Sequence, residues 1–367
     1  MIDRRGAIGG IGALAAAPYA AGAAERPAGK PPFLNPGDTV AVVSPASAVG
    51  SDDGLDRAEW WLKGMGLVPK FGPHAGDRHG YLAGTDAARA ADLNAAYADP
   101  QVKAVFATRG GWGAARILPL LDWDMIRANP KLLIGYSDVT ALHLAFAMRA
   151  GYATIHGGNA TSGWYRQSWE SLWRLAFGGE AAVLGGGEAE AQSGRAGRTI
   201  TGGRARGRLL GGNFTILSTL MGTPWVPDMN GAVLFLEDVN EAEYRVDRMF
   251  QQLRLAGELD RLSGVIFGQC NRCASTEPDY GGFTVDQVVD QYLAPLGVPA
   301  FTGANVGHVA NQLSLPSGAE VEIDADASVT IQAAGAMNIS GIISGSNAGF
   351  EKSGNSSLTL TNANSYS

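Results

Sequence analysis

The sequence predicts an α/β fold, and three observations support it. Hydrophobic residues make up 46% of the 367-residue chain, which is enough for a packed core. In the first half of its body, short apolar segments alternate with segments of helical spacing. This predicts a parallel sheet with helices on both faces, flavodoxin-like or Rossmann-like. In the second half, strands and one clear helix lack that regular alternation, which predicts a mixed α+β domain.

The predicted elements of the first half follow from apolar runs and helical spacing. Ligands of parallel sheets bind beyond the carboxyl ends of strands, so the loops Arg109–Gly113 and Tyr136–Asp138 are candidate binding loops. The elements are strands at Thr39–Ser44, Val102–Ala107 and Leu132–Gly135, helices at Leu55–Met65, Ala87–Ala98 and Thr140–Ala150, and a helix that begins in Ile117–Leu121.

The second half is separated from the first by a stretch rich in Glu, Ala and Arg with glycine pairs, which predicts a connection. Its predicted elements are strands at Ala232–Glu237, Gly264–Phe267 and Ala319–Ile323 and a helix at Arg245–Ala256. The predicted organisation is an export signal and linker at 1–32, an N-terminal α/β domain at 33–163, the connection at 164–200, a C-terminal α+β domain at 201–332 and a tail at 333–367.

The N-terminus has the pattern of an export signal. Arg4 and Arg5 precede an uncharged run from Gly6 to Ala24, and small residues stand before Glu25. The paired arginines favour a twin-arginine signal, and the alternative is a transmembrane anchor. We therefore expect a periplasmic protein with no stable membrane span after processing, or a cytoplasmic protein if the segment is not a signal.

The C-terminal tail is rich in Ser, Asn, Gly and Thr, a composition typical of disorder. The alternation in Ser357–Thr361 nevertheless predicts a short β-strand, and it resembles one β-repeat of autotransporter passenger domains. A single repeat cannot bury its own face, so the tail is a foreign extension, a truncated array or a capping remnant.

Charge and cysteine content exclude some classes of function. The net charge is −7 without a basic stripe, which argues against a nucleic-acid partner. Two cysteines cannot form a disulfide framework. Cys270 and Cys273 form one C-x-x-C pattern, for which core or loop thiols, a strained disulfide, a redox pair and a metal site are all open. No second such pattern stands nearby, so we expect no metal, and no cofactor is predicted.

Ser137 is the candidate nucleophile. It lies between a predicted strand and a predicted helix, where a sharp turn exposes the hydroxyl beside backbone N–H groups at a helix N-terminus. The usual G-x-S-x-G pattern is not complete, because Val139 occupies its last position. A helix N-cap is the structural alternative for the same residues.

A serine nucleophile needs a base and an orienting carboxylate. One candidate base is His308, which lies in a glycine-flanked loop. The other histidines are His74, His79, His143 and His156. For each of the five, a surface or core residue without a catalytic role is the alternative. Glu237 closes an apolar strand, where a buried carboxylate needs a cation or an imidazole. A salt bridge to Arg245 or Arg248 is the alternative, and Asp238 is the competing carboxylate.

Several segments together resemble a known family. LLIGYSDVTALH, LLGGNFTILSTLMGTPW, LFLEDVNEAEYRVDRMFQQL and NVGHVANQLSLPSGAEVEI occur in the order found in the LD-carboxypeptidase family of serine peptidases. The family includes muramoyltetrapeptide carboxypeptidases and microcin C immunity proteins, and the resemblance covers about residues 33–326. It implies a Ser–His–Glu triad formed by Ser137, His308 and Glu237.

The resemblance also implies a function. It predicts a serine carboxypeptidase that hydrolyses an L,D peptide bond and releases terminal D-alanine from peptidoglycan tetrapeptides. The alternative is a microcin-immunity-type peptidase that cleaves aminoacyl-nucleotide conjugates with the same triad. A non-catalytic exported binding or scaffold protein is a third hypothesis, against which the intact triad argues. Members are often dimers, so we expect a homodimer. The expected binding partner is its substrate, a peptidoglycan-derived peptide.

Residues of the two candidate loops would complete the site. An oxyanion needs two N–H donors, which we expect from the amides of Asp138 and Gly111. Gly110 and Trp112 are expected to contact substrate, and glycine at position 110 lets the backbone approach it closely. Arg109 is the nearest cation able to bind a terminal carboxylate with two hydrogen bonds, and bracing the loop is its alternative role. The site is expected between the two domains.

Overall fold

The computed structural model describes residues 29–50, 53–180, 197–275, 277, 279–325, 332–333, 350–352 and 358–360. The predicted export signal lies outside the described residues, apart from the end of its linker. No helix within the described ranges is long and apolar enough to cross a bilayer.

Strands and helices alternate along most of the described chain. The strands are β1 (Thr39–Val43), β2 (Val68–Phe71), β3 (Val102–Ala107), β4 (Leu132–Gly135), β5 (Thr154–His156), β6 (Arg198–Thr201), β7 (Arg204–Asn213), β8 (Val233–Val239), β9 (Gly264–Asn271), β10 (Ala300–Thr302), β11 (Leu315–Ser317), β12 (Glu320–Asp324), β13 (Gln332–Ala333), β14 (Phe350–Lys352) and β15 (Leu358–Leu360). The α-helices are α1 (Asp53–Gly64), α2 (Asp86–Ala98), α3 (Ala114–Ile117), α4 (Trp123–Ala128), α5 (Thr140–Ala145), α6 (Arg166–Trp173), α7 (Phe214–Leu220), α8 (Glu243–Leu255) and α9 (Val285–Leu293).

The first sheet has apolar residues on both faces, as parallel sheets covered by helices do. Its strand order is β11-β5-β4-β3-β1-β2, and only β11 is antiparallel to its neighbour. The order of the five parallel strands is the flavodoxin-like one. Val40 and Val42 share an apolar cluster with α1 and α6, and Ala41 and Val43 share another with α2 and α5.

The second sheet has a parallel centre with antiparallel edges. Its order is β13-β12-β7-β8-β9-β10-β6, in which β7, β8, β9 and β10 are parallel. Strands β12 and β6 pair antiparallel to β7 and β10. The predicted fold class, an N-terminal α/β part followed by a mixed C-terminal part, is confirmed.

One apolar cluster joins the two halves. It contains Leu93 and Leu144 from helices of the first sheet and Phe214 and Phe250 from helices of the second. A hydrogen bond adds to this contact, because the amide at the end of β7 donates to Thr140 Oγ1 over 2.9 Å. The start of α5, directly after the candidate nucleophile, is therefore fixed against the second sheet.

The chain crosses between the two sheets a second time after β10. Strand β10 belongs to the second sheet, whereas β11 pairs with β5 in the first, with Leu315 opposite His156. The residues between β10 and β11 therefore span the junction of the sheets. His308 lies in that crossing segment.

Several elements were not predicted. Strand β7 begins with alternating arginines (RARGR) and ends with two glycines and an asparagine, so it lacks the long apolar run that identifies a buried strand. Residues 164–200, predicted as a connection, contain α6, and β6 begins there. In the tail, β15 lies within the predicted strand Ser357–Thr361 and pairs antiparallel with β14. The predicted domain boundaries stay predictions.

Candidate active site

Ser137 lies on a sharp turn between β4 and α5. Its backbone has φ +67°, a left-handed conformation that non-glycine residues adopt at a cost of about 1–3 kcal/mol. The turn Ser137–Val139 is a single 3-10 turn without a side-chain cap hydrogen bond. The serine hydroxyl therefore does not serve as the N-cap that the sequence allowed as an alternative, and it is bonded to His308 instead.

A hydrogen-bonded chain connects three of the predicted site residues. His308 Nε2 lies 3.0 Å from Ser137 Oγ, and His308 Nδ1 lies 2.8 Å from Glu237 Oε2. With Glu237 ionised, Nδ1–H donates to the carboxylate, and Nε2 is left to accept the serine hydroxyl proton. The three side chains come from the first sheet, the second sheet and the segment that crosses between them.

Glu237 is fully buried at the end of β8, with 0% of its surface exposed. Burial alone would raise its pKa, but His308, His156 and Asn213 together hold the pKa of Glu237 below its ordinary value. The carboxylate is therefore ionised beside the imidazole. Its partner is His308, not Arg245, which pairs with Glu241.

Asp238, the competing carboxylate, faces another way. Its Oδ2 accepts hydrogen bonds of 2.9 Å from both the amide and the hydroxyl of Thr215, in the first turn of α7. Its Oδ1 accepts from Asn213 Nδ2 and from the amide of Val239. Burial raises the pKa of Asp238 to about 6. Asp238 therefore fastens α7 to β8 and is not bonded to His308.

The loop after β3 packs directly against the nucleophile. A Cβ at Gly110 would lie 2.7 Å from Ser137 Cβ and 2.9 Å from its Oγ, so only glycine fits this close approach. Asp138 fastens the same loop, because its buried Oδ2 accepts the amide of Ala114 over 2.7 Å at the start of α3. Burial raises the pKa of Asp138 to about 6. Gly111 lies in this loop, with φ +104°.

His143, His156 and His74 are not hydrogen-bonded to Ser137, Glu237 or His308. His143 bonds to Thr154 Oγ1 and to the Gly135 carbonyl, and burial lowers its pKa to about 3. His156 is buried against Phe235, and burial lowers its pKa to about 4. Both are neutral core residues near neutral pH. His74 bonds to Asp77 in an exposed turn.

An open cleft of about 320 Å³ lies beside His308. Sequence reasoning did not identify five of its lining residues as site residues: Ser162, Tyr165, Val239, Arg272 and Gln312. Tyr136 lies in the predicted binding loop Tyr136–Asp138, and its ring lies 4.9 Å from the His308 ring. Trp112 is 38% exposed, and its amide donates to Ser47 Oγ in the loop after β1.

Arg109 donates from Nη1 to the Ala48 carbonyl over 3.2 Å. It therefore braces the loop after β1, which is the second of the two roles considered for it.

Cys270 and Cys273 form a disulfide, so the free-thiol alternatives are replaced by the bonded one. Within the described ranges, no group of three or more His, Cys, Asp or Glu side chains could hold a metal ion.

The fold and the site together define a class of protein. A parallel sheet that presents serine on a strained strand-to-helix turn, bonded through histidine to a buried carboxylate, is the arrangement of a serine hydrolase. Residues 40–157 match the family of the LD-carboxypeptidase N-terminal domain, and residues 206–323 match that of the LD-carboxypeptidase C-terminal domain. The chain belongs to the LD-carboxypeptidase family and is a serine-type carboxypeptidase.

Individual relatives agree with this assignment. The chain is 34% identical over 307 residues to the "Probable murein peptide carboxypeptidase" of Bacillus subtilis, which aligns 80% of this chain and 91% of that one. It is 33% identical over 287 residues to the murein tetrapeptide carboxypeptidase of Pseudomonas aeruginosa, covering 76% and 91%. The Escherichia coli microcin C7 self-immunity protein, solved in complex with aspartyl sulfamoyl adenosine, superimposes with a TM-score of 0.71 at 25% identity, covering 80% and 95%.

Proposed function

We propose that this carboxypeptidase hydrolyses the L,D peptide bond of peptidoglycan tetrapeptides and releases terminal D-alanine. The observation that carries the proposal is the hydrogen-bonded chain from Ser137 Oγ through His308 to Glu237, beside an open cleft. The substrate class rests on relatives named murein peptide and murein tetrapeptide carboxypeptidases.

The proposed reaction follows serine acyl transfer. His308 Nε2 takes the Ser137 proton as Oγ attacks the scissile carbonyl, and Glu237 stabilises the imidazolium through Nδ1–H. The tetrahedral intermediate collapses, the C–N bond breaks, and the proton moves from Nε2 to the amine of the leaving D-alanine. Water, deprotonated by His308, then hydrolyses the acyl-enzyme and restores Ser137.

The oxyanion would be stabilised by two backbone amides. The amide of Asp138 follows the nucleophile at the start of a helical segment, and the amide of Gly111 lies in the loop packed against Ser137. Preorganised donors of this kind typically contribute about 2.7–4 kcal/mol each to lowering the barrier. Asp138 has a second role, since its carboxylate fastens that loop through Ala114.

Cleavage of aminoacyl-nucleotide conjugates is the second candidate function, supported by the likeness to the microcin C7 self-immunity protein. Both substrates would use the same attack and differ in the leaving group. Purified protein is incubated separately with a murein tetrapeptide and with aspartyl sulfamoyl adenosine, and the products are followed by mass spectrometry. We expect the tetrapeptide alone to be cleaved. Cleavage of the conjugate alone would establish the second candidate, and cleavage of neither would contradict both.

Export and homodimerisation stay predictions of the sequence. We propose that residues 1–32 direct the protein to the periplasm, where peptidoglycan is accessible. The paired Arg4 and Arg5 and the small residues before Glu25 support this destination.

Gly307 holds the segment with the proposed base against the proposed carboxylate. Its φ is +102°, and a Cβ there would lie 2.6 Å from Glu237 Cβ and 2.7 Å from its Cγ. Replacing Gly307 with alanine should therefore displace His308 from Glu237. We expect kcat/KM on the tetrapeptide to fall about 100-fold or more, because small displacements of catalytic groups have effects of this size.

Gly37→Ala is the matched control for that variant. Gly37 has a similar φ of +93°, but a Cβ there would meet nothing within 4 Å. Both substitutions strain the backbone, and only Gly307→Ala creates the clash with Glu237. The free energy of unfolding and kcat/KM are measured for both variants. Equal kcat/KM for the two would contradict the role assigned to Gly307.

The pH dependence of kcat/KM should report His308. Burial lowers its pKa, but the charge and hydrogen bond of Glu237 outweigh burial, so the pKa of His308 lies above its ordinary value. A base must be neutral to accept a proton, so activity is lost as pH falls through this raised pKa. We expect the acidic limb of kcat/KM to have its midpoint above about 6.5. A midpoint below the ordinary histidine value would contradict the assignment.

A further inference from the structure

We propose that Arg272 binds the free terminal carboxylate of the peptide substrate. The inference rests on the proposed function, since it assigns the group that makes this site a carboxypeptidase site. It replaces Arg109, which donates to Ala48 in the loop after β1. Arg272 and His308 instead line the same cleft of about 320 Å³.

Arg272 follows directly after β9 on a rigid turn. Its φ of +57° is left-handed, which directs the chain sharply away from the strand. The Cys270–Cys273 disulfide closes the turn around it. Asn240 also donates its amide to the Asn271 carbonyl over 2.9 Å, which fastens the turn to the end of β8.

The same turn is tied to the proposed base. Asn271 Nδ2 donates to the His308 carbonyl over 2.7 Å, so the residue beside Arg272 holds the backbone of His308. The positive charge of Arg272 acts on the imidazole and disfavours its protonation. The backbone of the turn that carries Arg272 is therefore fixed relative to the segment that carries the base.

Within the described ranges, no hydrogen bond or ion pair engages the Arg272 guanidinium. Most cations of the described surface are committed; Arg198, Arg204 and Arg206, for example, pair with carboxylates. An uncommitted guanidinium at the rim of a cleft offers a planar fork of N–H donors that matches a carboxylate in two parallel hydrogen bonds. Lysine would offer only a point charge at the same place.

The chemistry of the leaving group brings its terminal carboxylate close to His308. His308 Nε2 must deliver a proton to the amine of the departing residue, and the terminal carboxylate of that residue is attached to the same α-carbon as the amine. The carboxylate must therefore lie within a few bond lengths of His308 when the amine does. Arg272 meets that condition because it lines the same cleft as His308, whereas Arg109 donates to the loop after β1.

The test compares a murein tetrapeptide with a free terminal carboxylate and the same peptide with a terminal amide. For the wild type we expect kcat/KM to be roughly 10- to 100-fold higher on the free acid, the range of one charge-assisted pairing. Arg272→Gln should remove this preference by lowering turnover of the acid while changing turnover of the amide less than about threefold. Arg272→Lys should retain an intermediate preference.

Arg109→Gln is the matched control. It removes a guanidinium from the same site region, and it should lower turnover of both peptides equally, so the preference for the acid is kept. Equal losses on acid and amide in Arg272→Gln, or loss of the preference in Arg109→Gln alone, would overturn the inference. A wild type that hydrolyses neither peptide would overturn the proposed function itself, and with it this role of Arg272.

Discussion

Ser137→Ala is expected to lower kcat for D-alanine release by about 10⁴-fold or more, since removal of a serine nucleophile abolishes the acyl-enzyme route. The hydroxyl lies 3.0 Å from His308 Nε2, and no backbone amide can replace it as the attacking group. Alanine and serine tolerate the left-handed turn about equally, so the fold should be retained. Initial rates and melting temperature are measured together.

Ser218→Ala is the control for the nucleophile. Its hydroxyl donates to the Thr215 carbonyl on α7 and does not contact His308. It should keep wild-type kcat within a small factor. A Ser137→Ala variant with the activity of Ser218→Ala would show that another group attacks the peptide bond.

Glu237→Gln is expected to lower kcat/KM by about 10⁴-fold, the effect of replacing the orienting carboxylate of a serine triad by an amide. A glutamine can donate to Nδ1 and so favours the wrong tautomer, in which Nε2 carries the proton and cannot accept from Ser137. The midpoint of the acidic limb should also fall. Burial would then act on the pKa of His308 without the opposing charge.

Asp238→Asn is the control for Glu237→Gln. It tests whether loss of a different buried carboxylate lowers the midpoint of the acidic limb by as much. Asp238 holds Thr215 at the start of α7, so the variant should lose stability. The midpoint of the acidic limb of kcat/KM should move less in Asp238→Asn than in Glu237→Gln. The reason is that Asp238 raises the pKa of His308 less than Glu237 does. A larger shift in Asp238→Asn would contradict the assignment of Glu237.

Three of the six strands of the first sheet, β1, β3 and β4, could be predicted because they are continuous apolar runs. Strands β3 and β4 begin and end as predicted, at Val102–Ala107 and Leu132–Gly135. Strand β7 could not be predicted, because its first residues alternate arginine with small residues and its later glycines pack against neighbouring backbone and Thr140. Local pattern identifies buried strands and misses a strand whose burial depends on distant partners.

The candidate site was predicted in part for a similar reason. The positions of Ser137 and Glu237 at strand ends follow from local sequence, and the family resemblance selects His308. Their meeting depends on contacts between residues 171 and 71 positions apart, which no local pattern encodes. Arg272 was missed because its position in the cleft depends on the turn after β9 and on the contact of that turn with the His308 segment.

The most direct test of the proposed activity is the stereochemistry of the released amino acid. Wild-type protein is incubated with a murein tetrapeptide ending in D-alanine and with its all-L analogue, and released alanine is resolved by chiral chromatography. We expect D-alanine from the first peptide, none from the second, and none from either with Ser137→Ala. Release from neither peptide by the wild type, equal release from both, or undiminished release by Ser137→Ala would contradict a serine LD-carboxypeptidase.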